Sequence, residues 1–195
     1  MNGGGSARWL NGVMPFDLHD ARARLRSGFP LVNGHPDVAG VLRDPSLLAL
    51  LGPALAQPYL AAGITAVCAP EARGPILGAL VGVQLGAGLV LVRKDERNHP
   101  GADRRVESGP TWRGTSEVFQ TRSWDLSPAD RVLVVDDWIT TGSSLAAMRS
   151  LIEQSGATYV GASVVVHKAP PAIIDELRVH WLVRFDELVS PSRPQ

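Results

Sequence analysis

Reading the chain for hydrophobic period, residues 64–70 (ITAVCAP) form a short apolar run rich in β-branched residues, the mark of a buried strand. The polar turn Glu71-Ala72-Arg73-Gly74 follows, and then residues 75–92 (PILGALVGVQLGAGLVLV), interrupted only by Gln84. That stretch approaches the length of a membrane span, and Gly74, Gly78, Gly82 and Gly86 have the small-xxx-small spacing of packed membrane helices. The alternative is a buried helix lying close on a sheet, followed from Gly88 by a buried parallel strand. The rest of the chain favours the second reading, because a second strand, loop, helix and strand repeat the unit. Residues 131–137 (RVLVVDD) form the strand. Leu145, Met148, Leu151 and Ile152 recur at helical spacing, Gly156 ends that helix, and TYVGASVVVH is the next strand. A short helix near 172–177 and a strand at 180–185 complete the pattern. Residues 44–62 read as helical with a break, because Pro53 and Pro58 interrupt them.

The alternation predicts an α/β fold with a central, mostly parallel sheet flanked by helices. At 195 residues and 45% apolar content the chain can bury one sizeable core, so a single domain over 1–195 is expected. Its parts would be a tail and cap at 1–40 and an α/β core at 41–190. Nineteen basic and nineteen acidic residues cancel, which argues against a nucleic-acid or membrane-surface partner held by a global field. Cys68 is the only cysteine, so no internal disulfide or thiolate cluster can form, in keeping with a cytoplasmic protein. The start MNGGGSARWLNG lacks the basic end and apolar run of a signal peptide. Residues 95–114 are polar, charged and broken by Pro and Gly; a loop this long reads as a flexible lid over an active site.

Chemistry concentrates in residues 132–145 (VLVVDDWITTGSSL). Two adjacent carboxylates, Asp136 and Asp137, end an apolar strand at the sheet edge where open α/β folds bind ligands. Backbone N–H groups at the following helix start, with the hydroxyls of Thr140, Thr141, Ser143 and Ser144, would cradle a phosphate, and Gly142 permits close approach. Carboxylates repel phosphate but accept hydrogen bonds from vicinal sugar hydroxyls. Together they describe a ribose 5-phosphate site.

The pattern acidic-acidic-x-x-x-Thr-Gly-x-Ser after a hydrophobic strand resembles the phosphoribosyl pyrophosphate (PRPP) motif of type I phosphoribosyltransferases. Residues 69–78 (APEARGPILG) are similar to the diphosphate loop and helix of adenine phosphoribosyltransferases, where a non-proline cis peptide often sits; Glu71–Ala72 is the expected place. Val92-Arg93-Lys94 ends the next strand as it does there, with Arg97 near a second basic position. The resemblance runs from about 29 to 187 and implies the type I phosphoribosyltransferase fold, with a small hood over the base and a lid. It implies transfer of the 5-phosphoribosyl group of PRPP to a nucleobase with release of pyrophosphate. In that reading Asp136 and Asp137 hold the ribose and, through PRPP and water, Mg2+. Arg73, Lys94 and Arg97 stabilise the leaving pyrophosphate, and Glu71, Ala72, Arg93 and His99 complete the substrate contacts. His35, in the hood at 31–38 (LVNGHPDV), is a candidate base contact. A homodimer is expected from the family and from the apolar load of residues 75–92.

Departures from the family refine the acceptor. Thr140 stands where hypoxanthine-guanine enzymes carry an aspartate base, which disfavours that specificity. Trp112-Arg113-Gly114 is the nearest match to the Glu-Tyr-Gly of adenine enzymes, whose glutamate is catalytic. Residues 93–99 are similar to the Arg-Lys-x-x-Lys-x-His of orotate enzymes, with Arg97 in place of the lysine, yet the orotate N-terminal pattern is absent. A purine-type acceptor is therefore favoured, with an orotate-like enzyme or a non-catalytic PRPP-binding regulator as alternatives.

Overall fold

The computed structural model describes residues 16–95 and 99–189. Its main sheet has seven strands, introduced here with the helices between them. After helix α1 (Leu18–Gly28), a two-stranded hairpin of β1 (Leu31–Val32) and β2 (His35–Pro36) turns on Asn33 and Gly34, both at positive φ. That geometry belongs to the tight hairpin turn an Asn-Gly pair favours. Helices α2 (Val38–Arg43) and α3 (Pro45–Ala56) follow. Asp44 caps α3 by accepting from Ser46 N (2.7 Å) and Leu47 N (3.2 Å), and Pro45 opens its first turn. Pro53 does not break α3 as its sequence suggested. The helix runs through it and gives way at Gln57, where Pro58 falls in a short 3₁₀ turn.

The core begins with β3 (Ala66–Pro70), α4 (Gly74–Leu85) and β4 (Gly88–Lys94). It continues through β7 (Arg131–Ile139), α5 (Ser143–Gln154), β8 (Thr158–His167), α6 (Pro171–Glu176), β9 (Val179–Arg184) and α7 (Phe185–Val189). Strands β4, β3, β7, β8 and β9 lie parallel in that order. β7 runs two residues past Asp137, where its partner β8 continues to pair at Trp138–Val166 and Ile139–His167.

Residues 95–114 are not an irregular loop throughout. Strand β5 (Arg104–Glu107) pairs antiparallel with β6 (Val118–Thr121), which in turn pairs with the end of β4. Every second residue of β5, Arg104 and Val106, turns inward, and Val106 packs on the core. A charged edge strand with one inward apolar residue lacks the density of hydrophobic positions that flags a buried strand.

Successive residues of β7 face opposite sides of the sheet. Leu133 and Val135 join α1, α3 and α4 on one face, while Val132 and Val134 join Leu145, Met148, Leu151 and Ile152 of α5 on the other. The glycine spacing of α4 serves this packing. A Cβ at Gly78 would come within 2.9 Å of Ala69 Cβ on β3, so only glycine lets the helix lie so close to the sheet. Among the described residues no helix is long and apolar enough to cross a membrane.

His180 on β9 is enclosed beside α3, its Nε2 3.2 Å from the Ala54 carbonyl. Loss of hydration, and then the nearby Arg22 charge, pushes its pKa down to about 4. The unfolded chain takes up a proton near pH 6.5 and the folded one resists it, so stability is full above that pH and is lost as pH falls towards 4. Urea melts should show wild type losing on the order of 3 kcal/mol from this group across that window, a loss that His180→Gln escapes. Identical pH slopes in the two proteins would refute it.

Candidate active site

The site forms where strand pairing stops. β3 connects through α4 to β4 on one side, and β7 connects through α5 to β8 on the other, so the chain reverses its winding between β3 and β7. Their pairing ends at Cys68–Val134, and beyond it the strand ends and following loops diverge around a cleft of about 930 Å3.

Asp136 and Asp137 are the second and third residues of β7 beyond its last pairing with β3. Asp137 is 8% exposed, its backbone N–H donates to Asp136 Oδ1 (2.8 Å), and its carboxylate is paired with the Arg73 guanidinium. Loss of hydration, followed by the adjacent Asp137 charge, pushes the Asp136 carboxyl well above the ordinary carboxylate range. Both effects favour the neutral form of Asp136.

Gly142 is the cap of α5, at φ 80° and ψ −4°. Gly142 has no side chain to cap the helix; Ser143 N–H donates to Thr141 Oγ1 (3.3 Å), and the first turn lines the cleft together with Thr140, Thr141, Ser143 and Ser144. Thr141 Oγ1 lies 2.9 Å from Ser143 Oγ and 3.3 Å from the Pro110 carbonyl, which brings the β5–β6 connection against this cradle.

On the opposite wall, the Glu71–Ala72 peptide is cis and Arg73 is the residue at the N-cap of α4. Glu71 is occupied as a brace, accepting from Lys94 N (2.9 Å) and pairing with Arg93 Nε (3.2 Å). Lys94 Nζ pairs with Glu117 Oε1 at 2.5 Å. The described residues thus bring Glu71, Ala72, Arg73, Lys94, Asp136, Asp137, residues 140–144 and His35 to one cleft. Two expected members fall elsewhere. Arg93 lines a neighbouring cavity of about 570 Å3 behind the loop. His99 is buried and does not line the cleft, and its pKa is lowered by lost hydration and the Arg122 charge. Arg97 lies outside the described residues.

Sequence reasoning missed several lining groups. Trp138 and Phe185 meet His35 of the hairpin, with ring centroids 5.6 Å (His35–Trp138), 6.1 Å (His35–Phe185) and 6.0 Å (Trp138–Phe185) apart. Lys168 Nζ stands 4.2 Å from the Phe185 ring centroid, and Glu117, just before β6, joins Lys94. These residues come from four distant segments and share no spacing; the one available signal was that Trp138 directly follows the acid pair. Trp112, 68% exposed, and Arg113, 4.8 Å from its ring centroid, line the outer rim.

No family model matches the chain. It is 38% identical over 130 residues to the adenine phosphoribosyltransferase of Streptomyces clavuligerus, covering 67% of this chain and 71% of that protein. It is 37% identical over 134 residues to that of Idiomarina loihiensis, covering 67% and 72%. Among solved structures, adenine phosphoribosyltransferase from Rhodothermus marinus superposes with a TM-score of 0.73 at 26% identity, over 85% of this chain and 99% of that one. The Giardia lamblia enzyme complexed with 9-deazaadenine gives 0.72 at 23% identity, over 87% and 98%.

The cradle depends on Gly142. A Cβ there would lie 2.5 Å from Ile173 Cγ2 of α6, at a φ that other residues rarely adopt. Gly142→Ala should cost about 1–3 kcal/mol in a urea melt and move the loop off α6, weakening ribose 5-phosphate binding at the same time. Unchanged stability and affinity would show that the turn is not held as described.

Proposed function

We propose an activity for this chain, which belongs to the type I phosphoribosyltransferase family and is most similar to adenine phosphoribosyltransferase homologues: transfer of the 5-phosphoribosyl group of PRPP to a purine-type nucleobase, with release of pyrophosphate, in nucleotide salvage. The observation that carries this reading is one cleft in which an acid pair, a helix-start cradle and a basic loop converge. The 5-phosphate would sit on residues 140–144 and the ribose hydroxyls on Asp136 and Asp137. The pyrophosphate would lie against the Glu71–Ala72 backbone, Arg73 and Lys94. Adenine is the base for which the relatives are named, and it is the first acceptor to test.

Among the described residues no group of three or more His, Cys, Asp or Glu could hold a metal ion alone. Asp136 and Asp137 supply hard oxygen ligands of the kind Mg2+ shares with substrate phosphates and water, so the donor set fits that ion. Bound there, Mg2+ would neutralise charge on the departing pyrophosphate. The chain's own groups would do the rest. Arg73 would turn from Asp137 to the pyrophosphate, the freed carboxylate would accept a ribose hydroxyl, and the lid would exclude water, which otherwise hydrolyses the donor.

A panel of nucleobases with PRPP and Mg2+, scored by pyrophosphate release, tests the activity. Turnover of at least one purine is expected. PRPP binding without turnover of any base would replace the enzyme by a PRPP-binding regulator, and turnover of orotate alone would reject the purine.

We also propose that the chain forms a homodimer. On the outer face of α4, Ile76 is 49% and Val83 80% exposed, and Leu91 of β4 is 41% exposed. A second copy would cover this apolar face. Sedimentation at micromolar concentration should give twice the 20.8 kDa chain mass, and a monomer retaining full activity would refute it.

A further inference from the structure

Of the carboxylates that line the cleft among the described residues, Glu71 braces the loop after β3, and Asp136 and Asp137 are assigned to the ribose, which leaves Glu117. It stands just before β6. The antiparallel register that sets Lys94 opposite Phe119 puts residue 117 two positions along the neighbouring chain, on the same face and within reach of a long side chain. Lys94 Nζ meets Glu117 Oε1 there at 2.5 Å, in a pair whose side chains are 37% and 30% exposed. A pair this wet is open to exchange.

Both backbones are fixed, so the pair cannot travel as a unit. The Lys94 N–H donates to Glu71 Oε1 (2.9 Å), and the Lys94 carbonyl accepts from Gln120 Nε2 (3.3 Å). Glu117 is tied to the buried Ser108 in both directions: its N–H donates to Ser108 Oγ (3.0 Å), and its carbonyl accepts from Ser108 N (2.8 Å). An ammonium on a flexible four-carbon stem can swing between partners while the carboxylate stays in place. An anion that binds Lys94 therefore takes it from Glu117 and then stands beside an unpaired negative charge. Asp137 differs, because once Arg73 leaves it a ribose hydroxyl can donate to it. Glu117 has no such substitute, since the oxygens of pyrophosphate accept hydrogen bonds as it does.

Resting on the phosphoribosyltransferase reading, we infer that Glu117 is an internal rival of pyrophosphate for Lys94, a residue that weakens the site's hold on pyrophosphate and hastens its departure. Discrimination of this kind comes from a charge set against the wrong ligand. PRPP bears the exchange because its 5-phosphate and ribose are anchored on residues 140–144 and the acid pair, which holds its pyrophosphate end at a high local concentration beside Lys94. Free pyrophosphate lacks those anchors and meets Glu117 at full strength. Once the bond from C1 to the pyrophosphate oxygen has broken, the product is in that position, and Glu117 takes the ammonium back. The same carboxylate therefore favours the intact donor over its own leaving group.

The test is calorimetric titration of PRPP, pyrophosphate and ribose 5-phosphate, each with Mg2+, into wild type, Glu117→Gln, Glu117→Asp, Lys94→Met and the Lys94→Met/Glu117→Gln double variant. Glu117→Gln should bind pyrophosphate about threefold or more tighter, with the gain appearing as slower dissociation in stopped flow. Ribose 5-phosphate, which has no pyrophosphate end, should stay within about twofold. Glu117→Asp, which keeps the charge on a shorter stem, should fall between wild type and Glu117→Gln. In the Lys94→Met background the gain from Glu117→Gln should vanish, because no ammonium remains to be contested. Weaker or unchanged pyrophosphate binding in Glu117→Gln would overturn the inference and make Glu117 a support for Lys94, leaving the phosphoribosyltransferase reading standing. An equal gain for ribose 5-phosphate, or one that survives in full without Lys94, would also overturn it. Wild type that binds neither PRPP nor pyrophosphate would overturn the reading on which it rests.

Discussion

The point where β3 and β7 stop pairing, just past Cys68 and Val134, governs the rest of the cleft. Below it both strands are buried on both faces and can carry only apolar side chains. Above it β7 keeps a partner on the β8 side alone, so Asp136 and Asp137 can occupy strand positions without losing a sheet hydrogen bond to β3. Two adjacent acids there are tolerable because they are not both simple anions. Asp137 has Arg73, and Asp136 is pushed towards its neutral form by lost hydration and by its neighbour's charge. The crevice thus places hydrogen-bond acceptors at the mouth of an otherwise dry core.

Around that pair the walls follow a rule of local compensation. Each basic group expected at the pyrophosphate and described by the structure has a carboxylate beside it: Arg73 with Asp137, and Lys94 with Glu117. Both pairs are partly exposed, so they contribute little to stability and can be exchanged for ligand charge at modest cost. Glu71 differs, because it also accepts from the Lys94 backbone and so ties the loop after β3 to the end of β4. Lys168 breaks the rule, set against the Phe185 ring instead of an acid.

Much of the core was legible in sequence because its signals are local. The β-branched runs of β3, β7 and β8 and the 3.6-residue spacing of α5 each sit within one short window. The acid pair and the Gly142 turn could be read for the same reason, since strand end and helix start are contiguous; the Asn33-Gly34 hairpin is equally local but was not anticipated. What could not be read depends on distant segments meeting. Glu117 matters only because β6 lies antiparallel to the end of β4, and Lys168 only because β8 lies beside β7. Strand β5 was hidden for another reason: its charges mark an edge position, and their polarity reads as loop. His99 shows the converse, a residue in a family-like spacing that does not line the cleft.

The account rests on Asp136 and Asp137 receiving ribose hydroxyls, with Asp136 pushed towards its neutral form in the free protein. The most direct measurement is a carbon-13 NMR titration of the Asp136 carboxyl with and without ribose 5-phosphate. In the free protein its midpoint should lie well above the ordinary aspartate value near 4, and it should fall when the ligand's hydroxyls donate to the ionised form. An ordinary midpoint in the free protein that ribose 5-phosphate leaves unmoved would contradict the account.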